Sequence, residues 1–400
     1  MRHIPSALLV AALWSCTHDQ SAAFDPRVSR GTLGPLDVAR YTVAYLPTLG
    51  GSRNRAAGIS NSGLVVGFVN RPGNATRVAA FWRSGSLDTL GTLGGPNSIV
   101  QWPGVSNNGV VAGITETAAL DTLHEEWSCT AFLPSVTGHI CVGFVWQDGE
   151  RIMKPLPTLG GNQGFATSVN SSGQVVGWAE TPVLDPTCNA PQKLQFRAVL
   201  WDTKKGTITQ LRPLPRDSTS AATGINDKGQ VIGISGDCDI AVGQLSARHA
   251  VLWENGLPTN IGDLGGDAWH TPMDIDNAGD VVGFSNPRGV VGIEFNPHAF
   301  LWTKAGGIRD LRTLPGDDNS QALGVNSSLQ VVGVSRGAIN RAFLWEHGVM
   351  QDLNALVGTN SPDLLIVAQH ISEDGVIVGR AVLHGTSTQV PFVATPVTPQ

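Results

Sequence analysis

Two groups of side chains in this 400-residue chain have types suited to chemistry. The first is a run, His124, Glu125, Glu126 and Trp127, whose carboxylates and aromatic ring could grip a sugar or a peptide, while proton chemistry there would need partners from elsewhere in the chain. The second is dispersed: His270, Asp274 and His370 stand far apart in sequence, and only a fold that returns to its own axis could bring them together as a polar or metal-binding cluster. Asp274, Asp276, Gly279 and Asp280 also suggest calcium, but Ser285 stands where a calcium loop closes on a bidentate glutamate. GxSxG, HExxH, P-loop and dinucleotide fingerprints do not occur in a supporting context. No catalytic residue is therefore assigned, and neither a metal nor a cofactor is expected.

What must position these groups is a tandem repeat. Seven times a Ser, Asn or Asp is followed by a short apolar run ending on Gly, at residues 60–67, 106–113, 170–177, 226–233, 276–283, 326–333 and 372–379. A period of about 50 residues belongs to propellers and solenoids. In the fourth copy, residues 221–225 and 230–234 flank Asn226-Asp227-Lys228-Gly229 and read as a hairpin, its Asn bonding its own backbone. The Gly of this turn is replaced by Leu329 in the sixth copy. A third strand ends on Trp82, Trp146, Trp201, Trp253, Trp302 and Trp345, each best explained as a wedge between sheets. A fourth element follows, built on Asp-Leu or Leu-Pro and glycines, as at residues 89–95, 156–161 and 310–316.

Four antiparallel strands per unit describe a propeller blade. Residues 41–51 repeat the fourth-strand phrase ahead of the first full unit, while the last unit stops after its third strand near residues 389–394. The expected fold is all-β: one seven-bladed β-propeller over 41–396, its ring closed by the N-terminal strand. On the innermost strands the series Gly58, Gly104, Ser168, Gly224, Asp274, Gly324, His370 is small except at Asp274 and His370. Links from second to third strand share one face, and those of blades 2 and 3 are the longest.

The net charge of -6, with no extended Lys/Arg cluster, excludes a nucleic-acid partner. Residues 1–16 read as a signal peptide, its apolar run 7–14 too short to span a bilayer, and 17–40 as a linker. Leu13-Trp14-Ser15-Cys16 resembles a lipobox, which would make Cys16 a lipidation site and the lipid the protein's membrane contact. The expected location is thus outside the cytoplasm, as an outer-membrane lipoprotein or a secreted monomer. Setting Cys16 aside leaves Cys129, Cys141, Cys188 and Cys238, for which three pairings exist; position within the inserts favours disulfides Cys129–Cys141 and Cys188–Cys238. Zinc is the alternative, without a CxxC spacing to support it.

The phrases 249–253 (His-Ala-Val-Leu-Trp), 298–302 (His-Ala-Phe-Leu-Trp) and 90–95 (Leu-Gly-Thr-Leu-Gly-Gly), with Asn226, Gly229 and Gly233, resemble the bacterial extracellular HAF-repeat family over about 41–394. The resemblance implies an exported repeat protein without an assigned activity. The expected function is a binding or scaffold protein for an extracellular glycan, peptide or protein, its ligand surface on the face carrying the blade 2 and 3 insertions, with the channel mouth as the second possibility. The alternative is a propeller hydrolase or lyase acting on an extracellular polymer.

Overall fold

The computed structural model describes residues 40–125, 131–239, 242–358 and 362–397. The expectations at Cys16, Glu126, Trp127 and Cys129, and hence the Cys129–Cys141 pairing, lie outside these residues.

Seven four-stranded sheets, antiparallel throughout, form a seven-bladed propeller. Blades 1 to 6 are consecutive, at 55–91, 94–155, 164–211, 219–260, 271–312 and 319–352. Blade 7 takes three strands from 364–396, and its fourth is Tyr41–Tyr45, paired residue for residue from Tyr41 with Pro396 to Tyr45 with Phe392. This is the closure that the orphan N-terminal phrase requires, and it removes the free edge of the last sheet. One helical turn, Leu353–Leu356, ends blade 6.

The closing Gly of each repeat has a steric cause. A Cβ added at Gly67, Gly113, Gly177, Gly233, Gly283, Gly333 or Gly379 would meet a first-strand carbonyl oxygen at 1.9–2.3 Å. In six blades the first strand bulges just there, skipping one residue between Ala56 and Gly58, and likewise before Ser168, Gly224, Asp274, Gly324 and His370. A bulge bends the strand and re-aims the next side chain. That next residue is where Asp274 and His370 stand.

The third-strand tryptophans are inter-blade wedges. Trp82, Trp201 and Trp253 are almost fully buried, and their indole N–H groups donate to the carbonyls of Pro47 (2.9 Å), Pro157 (2.8 Å) and Arg212 (2.7 Å) in the preceding crossover. The Leu-Pro and Gly-Gly phrases lie mostly in these crossovers rather than in the fourth strands, which are shorter (Met153–Pro155, Leu257–Asn260). Leu329 keeps the left-handed turn of its glycine counterparts, at φ 55°.

Candidate functional site

The two ends of the ring differ. On the insertion face, the second and third strands of blades 2 and 3 lengthen to 11 and 9 residues (Val110–Leu120 with His139–Gln147; Gln174–Leu184 with Leu194–Asp202), so much of each insert is ladder. The remaining links fold inward. Phe132 packs on Trp102 with ring centroids 5.3 Å apart, and Trp102 also meets Phe165 (5.1 Å) and Trp178 (6.2 Å) edge-on. Trp102 belongs to the first strand region of blade 2, yet it also packs against the cluster of Trp269, Met273 and Ile366 from blades 5 and 7. One indole thus packs against clusters drawn from opposite sides of the ring.

The insertion residues tie one link to the next. Glu125 is buried, its Oε1 accepts from the Lys193 and Leu194 amides at 2.6 Å each, and its own amide donates to Asp121 Oδ2. Burial pushes its carboxyl above the usual range. It stitches the blade 2 link to that of blade 3 and presents no carboxylate to solvent, whereas His124 is exposed. Cys188 and Cys238 form the expected disulfide, linking blade 3 to blade 4. Asp185 lies beside both sulfurs, which as a disulfide are no longer available as zinc thiolates. Between blades 7 and 1, Arg53, Arg55, Arg77 and Arg380 surround Phe68. The Arg77 guanidinium lies 4.1 Å from the ring, bonds Asn70 and the Phe132 carbonyl, and is pushed down to about 9 by burial and by Arg380 and Arg53. The space among them is only about 10 Å³, the room of a single water.

At the opposite end, the face of the first-to-second-strand turns, a cavity of about 110 Å³ opens on the axis, lined by residues of all seven blades. The residue after each turn position tends to reach the next blade. The amides of Asn61, Ser171 and Asp227 donate to Asn107 (2.8 Å), Asp227 (2.8 Å) and Asn277 (2.9 Å), and those of Ser327 and Glu373 to Glu373 and Asn61 (3.1 Å each). Four carboxylates, Asp227, Asp274, Asp276 and Glu373, line the cavity without a lysine or arginine among its walls.

Asp274 and His370 meet here, His370 Nε2 lying 3.7 Å from Asp274 Oδ2. Each is tied to backbone: Asp274 accepts from the Ile275 (2.9 Å) and Val325 (3.0 Å) amides, and His370 Nδ1 accepts from the Ile59 amide (3.3 Å). Burial, with Asp276 and Glu373 nearby, pushes Asp274 up to about 7, while burial pushes His370 down to about 4. At neutral pH the imidazole is uncharged. His270 is elsewhere: it precedes the first strand of blade 5 (Thr271–Ile275), on the insertion side, where its ring meets Ser285 Oγ (2.7 Å) and the Gly266 carbonyl (3.2 Å). The three groups thus do not form one cluster.

Sequence reasoning passed over Trp102. Four residues before each turn the chain has Ala56, Trp102, Ala166, Ala222, Pro272, Ala322 and Ala368, so the one large residue in that series was its signal. A further cavity of about 340 Å³ is a groove between blades 2 and 3 beside Trp201, away from both mouths.

No protein-family model matches the chain, and no curated protein matches it in sequence. Among solved structures it is similar to TolB from Acinetobacter baumannii (9% identity, TM-score 0.42, covering 84% of this chain and 64% of that one). It is also similar to Pyrococcus horikoshii acylaminoacyl peptidase (10%, 0.47, 90% and 52%) and to an oligogalacturonate lyase in complex with manganese (10%, 0.49, 89% and 91%). The chain thus spans under two thirds of TolB and about half of the peptidase. Likeness at this identity concerns the fold alone.

Proposed function

We propose that the protein is an exported HAF-repeat binding module that receives a basic side chain of a peptide or protein in the axial mouth on the turn face. The observation that carries this reading is the wall of that cavity, four carboxylates with no lysine or arginine. A volume of about 110 Å³ suits a side-chain head group rather than a polymer chain. Carboxylates gathered at one mouth favour a positive group that offsets their mutual repulsion. This reading takes up the channel mouth, the second surface expected from the sequence, in preference to the insertion face.

A second reading, a hydrolase or lyase on an extracellular polymer, draws on the Asp274–His370 approach, since a carboxyl near 7 suits proton transfer. The absence of His270 from the pair weakens it.

One experiment separates the two. The full chain is probed on peptide and glycan arrays and incubated with acidic and neutral polysaccharides. The binding reading expects capture of Lys- and Arg-bearing peptides, weakened by salt and at least about tenfold by Glu373→Gln. Unchanged binding in that variant removes the mouth as the site. Polymer cleavage abolished by Asp274→Asn would instead establish the enzyme.

A further inference from the structure

The turn position and the residue four further on vary together. Blades 1, 2 and 7 pair Ser with Leu64, Val110 or Val376, blades 3, 4 and 6 pair Asn with Gln, and blade 5 alone pairs Asp276 with Asp280. In the Asn blades the amide nitrogen donates twice. Asn170, Asn226 and Asn326 Nδ2 reach Gln174, Gln230 and Gln330 Oε1 at 2.8, 2.7 and 2.9 Å. The same nitrogens reach the next blade's turn carbonyl, at Asn226 (3.1 Å), Asp276 (2.9 Å) and Ser372 (3.1 Å).

Blade 5 keeps the frame but removes the donor. Asp276 Oδ1 accepts from the Ala278, Gly279 and Asp280 amides at 2.8–2.9 Å, much as Asn226 Oδ1 accepts from Lys228 and Gln230. That fixes the carboxylate and carries Oδ2 into the place of the amide nitrogen. Asp276 is 5% exposed, and its buried Oδ2 has no hydrogen-bond partner. The Asp280 side chain makes no hydrogen bond or ion pair among the described residues, and its carboxyl is raised by burial and by Asp276. Where the Asn226 carbonyl accepts from both Gly229 and Asn170, the Asn326 carbonyl accepts only from the Leu329 amide. By register, these three oxygens stand at the positions that an Asn N–H joins in blades 3, 4 and 6.

We propose that Asp276 Oδ2, the Asp280 carboxylate and the Asn326 carbonyl bind one divalent cation, calcium by ligand type, at the seam of blades 5 and 6. Hard oxygen donors completed by water are the calcium pattern, and two carboxylates with a backbone carbonyl supply its start. The cation does for this seam what the Asn amide does elsewhere: it joins a turn to its own strand and to the next blade. The site differs from the calcium loop that Ser285 fails to close, and it shares only Asp276 with the mouth of the peptide reading.

The test uses the full chain freed of divalent ions by a chelator, then titrated with calcium chloride and followed by calorimetry and thermal melting. The expected result is one site per chain and a melting temperature raised by about 3 °C at saturation. The double variant Asp276→Asn/Asp280→Gln restores the Asn–Gln pair of blades 3, 4 and 6, so it should fold, melt as high without calcium as the parent does with it, and ignore the ion. A parent without calcium response, or a double variant that binds calcium equally well, overturns the proposal. So does a shared proton, read as pH-dependent melting that calcium leaves unchanged. Peptide capture is scored separately, so failure of either idea is visible without the other.

Discussion

His370 Nε2 stands 3.7 Å from Asp274 Oδ2 although the two residues belong to blades 7 and 5, with blade 6 between them. The bulge before each residue turns it toward the axis, so two departures from a series of small residues become one polar contact. Both groups are largely covered by the surrounding strands, and this desolvation disfavours the charged form of each.

Loss of solvent around the two groups makes stability depend on pH in a definite way. Asp274 is pushed up to about 7, so between about 4 and 7 the folded chain holds a proton that the unfolded chain has lost. Stability from this group therefore falls as pH rises, and is lost above about 7. His370, pushed down to about 4, acts oppositely: its contribution is present above about 6.5 and lost as pH falls to about 4. In Asp274→Asn only the histidine slope remains. The free-energy cost of the substitution should shrink by a few kcal/mol from pH 4 to pH 8, measured by denaturant unfolding at each pH. A cost independent of pH contradicts the shift.

The Cys188–Cys238 bridge ties the links of blades 3 and 4 across 50 residues of sequence. Closing a loop of that length is worth about 4 kcal/mol on the chain-entropy account. Replacing both cysteines by serine should lower stability by an amount of this order while blades 5 to 7 keep their protection from hydrogen exchange. Uniform loss of protection would mean that the bridge supports the whole ring.

How much of this was legible depended on whether a residue acts within its own repeat. The hairpin, the tryptophan wedge and the closing strand recur with fixed spacing, so comparing copies exposed them. Asp274 and His370 were visible as exceptions, but their contact crosses two blades. Glu125 read as a surface group because its partners, the Lys193 and Leu194 amides, come from the link of another blade. Trp102 was hidden by comparing the position two before the turn rather than four before it.

The closing glycines give a graded prediction. At Gly177 an added Cβ would lie 1.9 Å from the Phe165 carbonyl oxygen, so the ladder must open to admit it. At Gly206, where φ is +66°, an added Cβ would meet nothing within 4 Å, and alanine there bears only the left-handed backbone cost, about 1 kcal/mol. Gly177→Ala should cost about 3 kcal/mol or more. Equal melting temperatures for the two variants would show that the close approach is not what keeps the glycine.

The strand Tyr41–Tyr45 tests whether the ring acts as one unit. It pairs with residues 392–396, buries Tyr41 to 2% exposure, and leads to Pro47, whose carbonyl holds the Trp82 indole of blade 1. Removing residues 41–45 would expose the Gln389–Pro396 strand as a free edge and loosen the blade 7 to blade 1 seam together. An open array loses stability near its ends, because each repeat contacts only its neighbours. A closed ring has no ends until one is made, so the deletion should lower the melting temperature of the whole chain and make blades 7 and 1 the first to be cleaved in limited proteolysis. An unchanged melting curve, or first cleavage in blades 3 and 4, would show that the N-terminal strand is not what closes the ring.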